Sequence, residues 1–271
     1  MLHPFEYTAP RTRAELLGLL ADHGDGAVLL AGGTDVLVNI RAGAIAPRVV
    51  VDVKRVDGYG ALSWSETDGL AIRPATTIND LLRAPGLGAR YPLLDACARD
   101  LASYAIRNRA TVIGNIVNAS PCADMAPALL CLGAHAVVAS RRGERRIPVR
   151  EFFTGVKRTV LAPDEILERI EVPAASAGAR GAYRKLKRIH GHDLGIVGVA
   201  LHRHGGALRL GISSAAPTPV LVDGLDEATP ADAVVAAARA AIAPISDLRC
   251  TKEYRAHMVE VFVRRLLQEV K

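Results

Sequence analysis

Apolar and polar positions alternate along the chain with a changing period, and the period names the element. Leu16, Leu17, Leu19 and Leu20 fall on one helical stripe within residues 14–22, and Gly24 and Gly26 end it. An apolar run from Val28 to Leu30 reads as a buried strand that breaks at Gly32 and Gly33. The segment VLVNIR after Asp35 reads as helical. Residues 47–53 form a second buried strand, so about the first 55 residues predict a small α/β unit. Leu70 to Pro74 reads as a strand running into a helix capped by Thr77. Residues 92–105 read as helix, 110–120 as a strand and turn, 126–134 as helix and 136–149 as a hairpin. EFFTG follows, and then DEILERIEVP, which ends in a strand. Small residues over 174–181 mark a boundary. Beyond it YRKLKRI, IVGVALHRH and LRLGISSA read as antiparallel strands, with a helix as the alternative over 194–201. The chain ends in two helical segments, and no internal repeat is visible.

Composition narrows the class. Half of the 271 residues are hydrophobic and 23% are charged, a globular balance that excludes disorder. No run of about 18 apolar residues exists, so no transmembrane helix is expected. The N-terminus lacks the basic-then-apolar plan of a signal peptide, which predicts a cytoplasmic protein. Cys97, Cys122, Cys131 and Cys250 form no CxxC pair, which argues against a zinc or iron–sulfur site. They are expected as reduced thiols packed like small hydrophobes. The net charge of +6 raises nucleic acid as a partner, but with 4% aromatic residues stacking platforms are scarce. The densest basic stretch, Arg141 to Arg146, reads as a solvated hairpin tip; a positive surface toward an acidic partner subunit is another reading. His190, His192, His202 and His204 suggest a metal cluster by composition. A metal needs three or four converging ligands, so a loop beside a cofactor is preferred there.

Two loops carry candidate chemistry. In Ala31-Gly32-Gly33-Thr34-Asp35, adjacent glycines let backbone N–H groups approach a phosphate, and Thr34 can add a hydroxyl. The loop matches neither GxGxxG nor GxxxxGK[ST], and a plain structural βα turn stays open. The second loop, Thr111 to Asp124, is dense in Gly, Asn, Ser, Thr and Asp between apolar helices. A polar ligand pressed against it is one reading, and a connection rich in Asx turns is the other.

These loops bring out a family resemblance. AGGTD, IRNRATVIGNIVNASPCADMAPALL, LAPDEILERIEVP, YRKLKRIHGHDLGIVGVAL and ISDLRCTKEYRAHMVEVFVRRLL occur in that order. Together they resemble the FAD-binding medium subunit of the molybdenum hydroxylases, the family of xanthine dehydrogenase, nicotinate dehydrogenase and aerobic CO dehydrogenase. The resemblance runs from about residue 3 to residue 270. It implies an α+β chain: a two-part FAD-binding domain of the vanillyl-alcohol-oxidase (PCMH) type over 1–175, with subdomains of about 1–55 and 56–175. A CO-dehydrogenase-flavoprotein-like α+β C-terminal domain over 176–271 follows.

The resemblance also implies site residues. Leu29, Leu30, Ala31, Gly32, Gly33, Thr34 and Asp35 match the pyrophosphate loop. Leu101 matches an apolar side chain packed on the cofactor. Thr111, Gly114 and Asn115 match a second phosphate and ribityl loop, and Ser120 and Asp124 match its later polar contacts. Ile166 and Leu167 match the position near the flavin ring, as does Lys185, whose charge would stabilise anionic reduced flavin. Two plainer readings stay open: Asp124 as a cap of the helix at 125–127, and Lys185 as a surface strand residue. Ile113 stands where the family has Gly, and an extended backbone is expected there. The inserted cysteine-rich segment of 4-hydroxybenzoyl-CoA-reducing members is absent.

The implied function is an FAD-binding electron-transfer subunit. It would work with a small subunit holding two [2Fe–2S] clusters and a large molybdopterin-binding subunit, as a dimer of heterotrimers. No catalytic acid, base or nucleophile, no metal, no nucleic acid and no membrane span are expected on this chain. The alternatives are a self-contained flavin oxidase of the same fold and a non-enzymatic nucleotide-binding scaffold.

Overall fold

The computed structural model describes residues 4–189 and 193–271. The N-terminal unit runs β1 (Glu6–Thr8), α1 (Arg13–His23), β2 (Ala27–Leu30), α2 (Val36–Arg41) and β3 (Val49–Asp52). Its three strands are parallel in the order β1-β3-β2. Thr12 and Glu15 form a reciprocal capping box that starts α1. Leu16, Leu17 and Leu20 pack from α1 onto Val49 and Val51 of the central strand. The strand at Val28–Leu30 exists, but its residues are half-buried rather than buried, because β2 is an edge of the sheet.

The next unit contains β4 (Leu62–Ser65), β5 (Gly69–Ile72), α3 (Ile78–Arg83), α4 (Leu87–Arg90), α5 (Pro92–Asp100), α6 (Tyr104–Arg107), α7 (Val112–Val117) and α8 (Ala126–Cys131). It continues with β6 (His135–Ser140), β7 (Gly143–Pro148), β8 (Phe153–Gly155), β9 (Arg158–Thr159) and β10 (Ile166–Val172). Five of these strands form a sheet in the order β4-β5-β10-β6-β7. Thr77 caps α3 as expected, in a capping box with Asp80.

Three readings are corrected. Residues 92–105 do not form one helix: Ala102 is left-handed at φ 44°, and Ser103 caps the separate α6. Residues 110–120 are not a strand and turn. Thr111 accepts a bond from the Gly114 N–H, which starts α7, and Val112, Ile113 and Ile116 bury one helical face. A single bridge between Thr77 and Thr111 is all the strand character left there. Ile113 is therefore helical rather than extended. The predicted β-branched strand loses to a cap and a buried helical stripe.

The C-terminal unit holds β11 (Arg180–Leu186), β12 (Val197–His204), β13 (Ala207–Ser213), β14 (Val220–Asp226), α9 (Ala231–Ala241) and α10 (Lys252–Glu269). The sheet is antiparallel in the order β11-β12-β13-β14. The helix alternative over 194–201 is overturned, because Val197, Val199 and Leu201 point to one face and pack with Val259, Phe262 and Val263 of α10. The opposite face lies on α5 and α8. Gly211 makes that contact close: a Cβ there would meet the Pro127 carbonyl oxygen at 2.2 Å.

Hairpin β6–β7 carries the basic tip at its turn. Arg142 pairs with Asp164, Arg145 with Glu165 at 2.7 Å and Arg146 with Glu171 at 2.9 Å. Cys97, Cys122 and Cys131 are buried and all four cysteines are free. Among the described residues, no helix is long and apolar enough to cross a membrane and no group of three metal-ligating side chains converges. His190 and His192 lie outside the described residues.

Candidate flavin site

The edge strand β2 delivers the chain into Ala31–Asp35. Gly33 takes the left-handed conformation at φ 75°, which a glycine adopts at little cost. Gly32 lies so close to the 109–110 backbone that a Cβ would sit 2.0 Å from the Arg109 carbonyl oxygen. The first loop therefore touches, through bare backbone, the segment that leads into the second. Asn118 Nδ2 donates to Asp35 Oδ1 at 2.9 Å and closes the contact from the other side. Lys157 Nζ donates to Asn118 Oδ1 at 2.8 Å, and Lys54 Nζ donates to the Ala31 carbonyl at 3.1 Å. The carbonyl and carboxylate oxygens of the first loop are thus engaged from behind. Among the described residues, the N–H groups of Gly32, Gly33, Thr34 and Asp35 donate to no protein atom. Free N–H groups on half-exposed backbone are what an oxyanion requires.

The second loop is organised by its own caps. Thr111 Oγ1 accepts from Gly114 N at 2.9 Å, Asn115 Oδ1 from Met125 N at 3.1 Å and Ser120 Oγ from Cys122 N at 3.2 Å. Asn115 thereby ties α7 to the start of α8. Asp124 does not cap α8, whose N-cap residue Met125 makes no side-chain cap bond. Asp124 instead pairs with Lys185 of β11 at 2.7 Å. The Lys185 side chain is 1% exposed, so it is not a surface strand residue. Burial pushes the Asp124 carboxyl up, and the Lys185 ammonium opposes that shift. The Tyr183 hydroxyl donates to Asp124 Oδ1 at 3.5 Å, and its own pKa lies well above the usual value through burial and the nearby carboxylate.

The remaining sequence-derived residues lie deeper. Leu101 and Leu167 pack in the core around α5 and α8, while Ile166 packs against α1 and β3. The structure thus brings Gly32 onto the Arg109–Ala110 backbone just before Thr111, and Asp35 onto Asn118 just after α7. It pairs Asp124 with Lys185, next to the Met125 N–H that Asn115 accepts, and it buries Leu101, Ile166 and Leu167 in the core. Asn118, Lys157 and Lys54 were not singled out from the sequence as site residues. Only Asn118 carried a signal, as a polar residue inside the second loop; lysines 54 and 157 are distant in the chain and look like ordinary surface residues.

A second junction holds the C-terminal unit to this loop. Ser214 N donates to the Pro121 carbonyl at 2.7 Å. Arg249 Nη1 reaches Cys122 Sγ and the Gly195 carbonyl, each at 3.4 Å. Arg249 also clasps Asp247, and its bonds hold that carboxyl well below the usual range. Buried Arg255 donates to the Ile196 and Ser214 carbonyls at 2.8 and 2.7 Å.

A glycine loop with unengaged N–H groups, clamped to the segment before a helix-capping loop and followed by a sheet domain, makes an anion cradle of the kind a dinucleotide phosphate requires. Comparison with known proteins gives the family. Residues 3–175 match the FAD-binding domain of molybdopterin dehydrogenases, and residues 181–270 match the CO dehydrogenase flavoprotein C-terminal domain. The chain belongs to this family of FAD-binding subunits. It is 34% identical to the carbon monoxide dehydrogenase medium chain of Hydrogenophaga pseudoflava, over 97% of this chain and 96% of that protein. It is 31% identical to a putative xanthine dehydrogenase FAD-binding subunit of Escherichia coli K12, over 97% and 94%. The carbon monoxide dehydrogenase structure from Hydrogenophaga pseudoflava superposes with a TM-score of 0.92 at 32% identity, covering 100% of this chain and 98% of that one.

Proposed function

We propose that this chain is the FAD-binding electron-transfer subunit of a multisubunit molybdenum hydroxylase. It takes electrons from [2Fe–2S] clusters on a small partner subunit and passes them to an external acceptor. A large molybdopterin-binding subunit carries the hydroxylation, and the working unit is a cytoplasmic dimer of heterotrimers. Residues 1–175 hold the cofactor and residues 176–271 close over its loop. The contact of Gly32 with the Arg109–Ala110 backbone carries the reading, because it forms one cradle from two loops distant in the chain.

FAD bound there supplies reversible uptake and release of electrons. The chain's own residues bind and orient it. The N–H groups of Gly32 to Asp35 would hold the pyrophosphate, with the hydroxyls of Thr34 and Thr111 as further candidate partners. Asn115 and Ser120 hold the second loop in shape, and Leu29, Leu30 and Leu101 supply apolar support. Lys185 is paired with Asp124 at 2.7 Å, so toward a bound cofactor the two would act as an oriented ion pair rather than as a free cation. Tyr183 keeps its proton and adds no charge. Gly114 permits the close approach of Thr111 Oγ1, and Ile166 and Leu167 back the site from β10.

The test is an absorbance spectrum of the purified full chain, with chromatography of the heat-released cofactor. Flavin bands with about one FAD per chain are expected. A colourless chain that takes up no FAD, alone or co-expressed with its partner subunits, would refute the assignment and favour a scaffold. Turnover of a substrate by this chain alone would favour the self-contained oxidase.

A further inference from the structure

A cavity lined by none of the flavin-loop residues lies where the C-terminal sheet meets the segment after β10. It holds about 330 Å³ and is walled by Leu132, Pro173 and Ala175 on one side and His202, His204 and Arg209 on the other. His202 and Arg209 are directly opposite on β12 and β13 and share a face of the sheet. Two features of this wall are unaccounted for by the protein itself. His202 is 3% exposed, yet its Nε2 has no hydrogen-bond partner. A buried polar atom left so calls for a ligand or an ordered water. Arg209 donates to the Cys131 carbonyl at 3.1 Å, and no carboxylate lines the cavity to balance its charge.

We infer that the cavity binds a small apolar carboxylic acid, with its carboxylate held by the Arg209 guanidinium and the His202 imidazole. An arginine keeps several N–H donors after bonding one carbonyl, and a guanidinium suits a carboxylate geometrically. Burial, and after it the basic groups Arg209 and His204 that face the ring, lowers the His202 pKa to about 4. The ring is therefore neutral near pH 7 and carries one N–H, which a bound carboxylate would favour on the unpartnered Nε2. Leu132, Pro173, Ala175 and Ala207 supply apolar lining, and the one hydroxyl among the lining side chains, that of Ser176, already donates to the Pro173 carbonyl. A carboxylate with an apolar body fits these surfaces, whereas a metal cation has only two imidazoles and a repelling guanidinium. The site is independent of the flavin reading.

Benzoate and acetate are the probes. The full chain, with ¹³C-labelled histidine, is titrated with each at constant ionic strength, and the His202 resonance is assigned with His202→Gln. Benzoate is expected to shift that resonance saturably and at least tenfold more tightly than acetate. It should also raise the His202 pKa, because a nearby anion favours the imidazolium. Arg209→Gln should weaken benzoate tenfold or more. Ala175→Phe, at an exposed rim position, should do the same by filling the cavity, and it decides the matter if Arg209→Gln does not fold. Acetate binding as well as benzoate would overturn the apolar acid in favour of a carboxylate of a partner chain. A shift that does not saturate, or that survives in both variants, means an adventitious additive only and overturns the site.

Discussion

At the scale of single residues, the site rests on positions where atoms are absent or fully matched. Gly32 is the first kind. A methyl group there would overlap the Arg109 carbonyl at 2.0 Å, and backbone cannot turn aside as a side chain can. Gly32→Ala is expected to cost about 1–3 kcal/mol through overpacking, and to lower FAD content at least tenfold by parting the two loops. Flavin absorbance per chain and the thermal midpoint check both. The Asp124–Lys185 pair is the second kind. Removing one charge strands the other in the interior, so Lys185→Met is expected to cost roughly 3–5 kcal/mol. Replacing both, as Lys185→Met with Asp124→Leu, should recover most of that loss, and denaturant unfolding of the two variants measures the coupling. The resemblance put Lys185 next to the cofactor on the strength of sequence position. Nothing in the local sequence told that its charge is cancelled, because the partner lies 61 positions away.

At the scale of elements, caps decide more than apolar period does. Thr12, Thr77 and Thr251 start helices with side-chain bonds, and each stands directly before a helix with a clear start. Thr111 does the same for α7, but the β-branched residues after it read as a strand. The segment that joins α9 to α10 is held differently, by Asp247 between Arg249 and Arg255. The Asp247 carboxyl is depressed mainly by its bonds to Arg249. Its contribution to stability is thus present above the ordinary carboxylate range and is lost as pH falls through its lowered folded-state value. Asp247→Asn is expected to reduce the loss of stability between neutral and acid pH, and unfolding curves taken across that range test it. Gly211→Ala should push β13 from Pro127 and lower the thermal midpoint. Circular dichroism melts are enough to see this.

At the scale of the whole molecule, the described surface carries apolar side chains that the chain does not cover. Leu248 is 102% exposed, and Leu194, Ile245 and Tyr254 are also exposed. Arg249 brings segments 194–195 and 248–249 together through its contact with Gly195 and with Cys122 of the flavin loop. In the assembly proposed above, Leu248 is the side chain with most to gain from burial against a partner subunit. Leu248→Asp is expected to leave the isolated chain's stability within about 0.5 kcal/mol of the parent, and its FAD content unchanged. Co-purification of the partner subunits should fall sharply. If assembly is unimpaired, the patch has another purpose.

The sequence by itself determined the class of fold, the five ordered segments of the family pattern and the two polar loops that meet at the candidate site. These are local or ordered along the chain: a glycine pair after an apolar run, a threonine before a helix, apolar positions of fixed period. The tertiary structure decided what depends on distance between remote residues. It joined Gly32 to Arg109, cancelled Lys185 with Asp124 and turned 112–117 into a helix by burying one of its faces. It made β2 a half-exposed edge where an apolar run had suggested a buried strand. It also set His202 opposite Arg209 against the 173–176 segment, leaving a cavity there. Periodicity records which side of an element is apolar, but the identity of the neighbour is fixed only when sheets and helices pack.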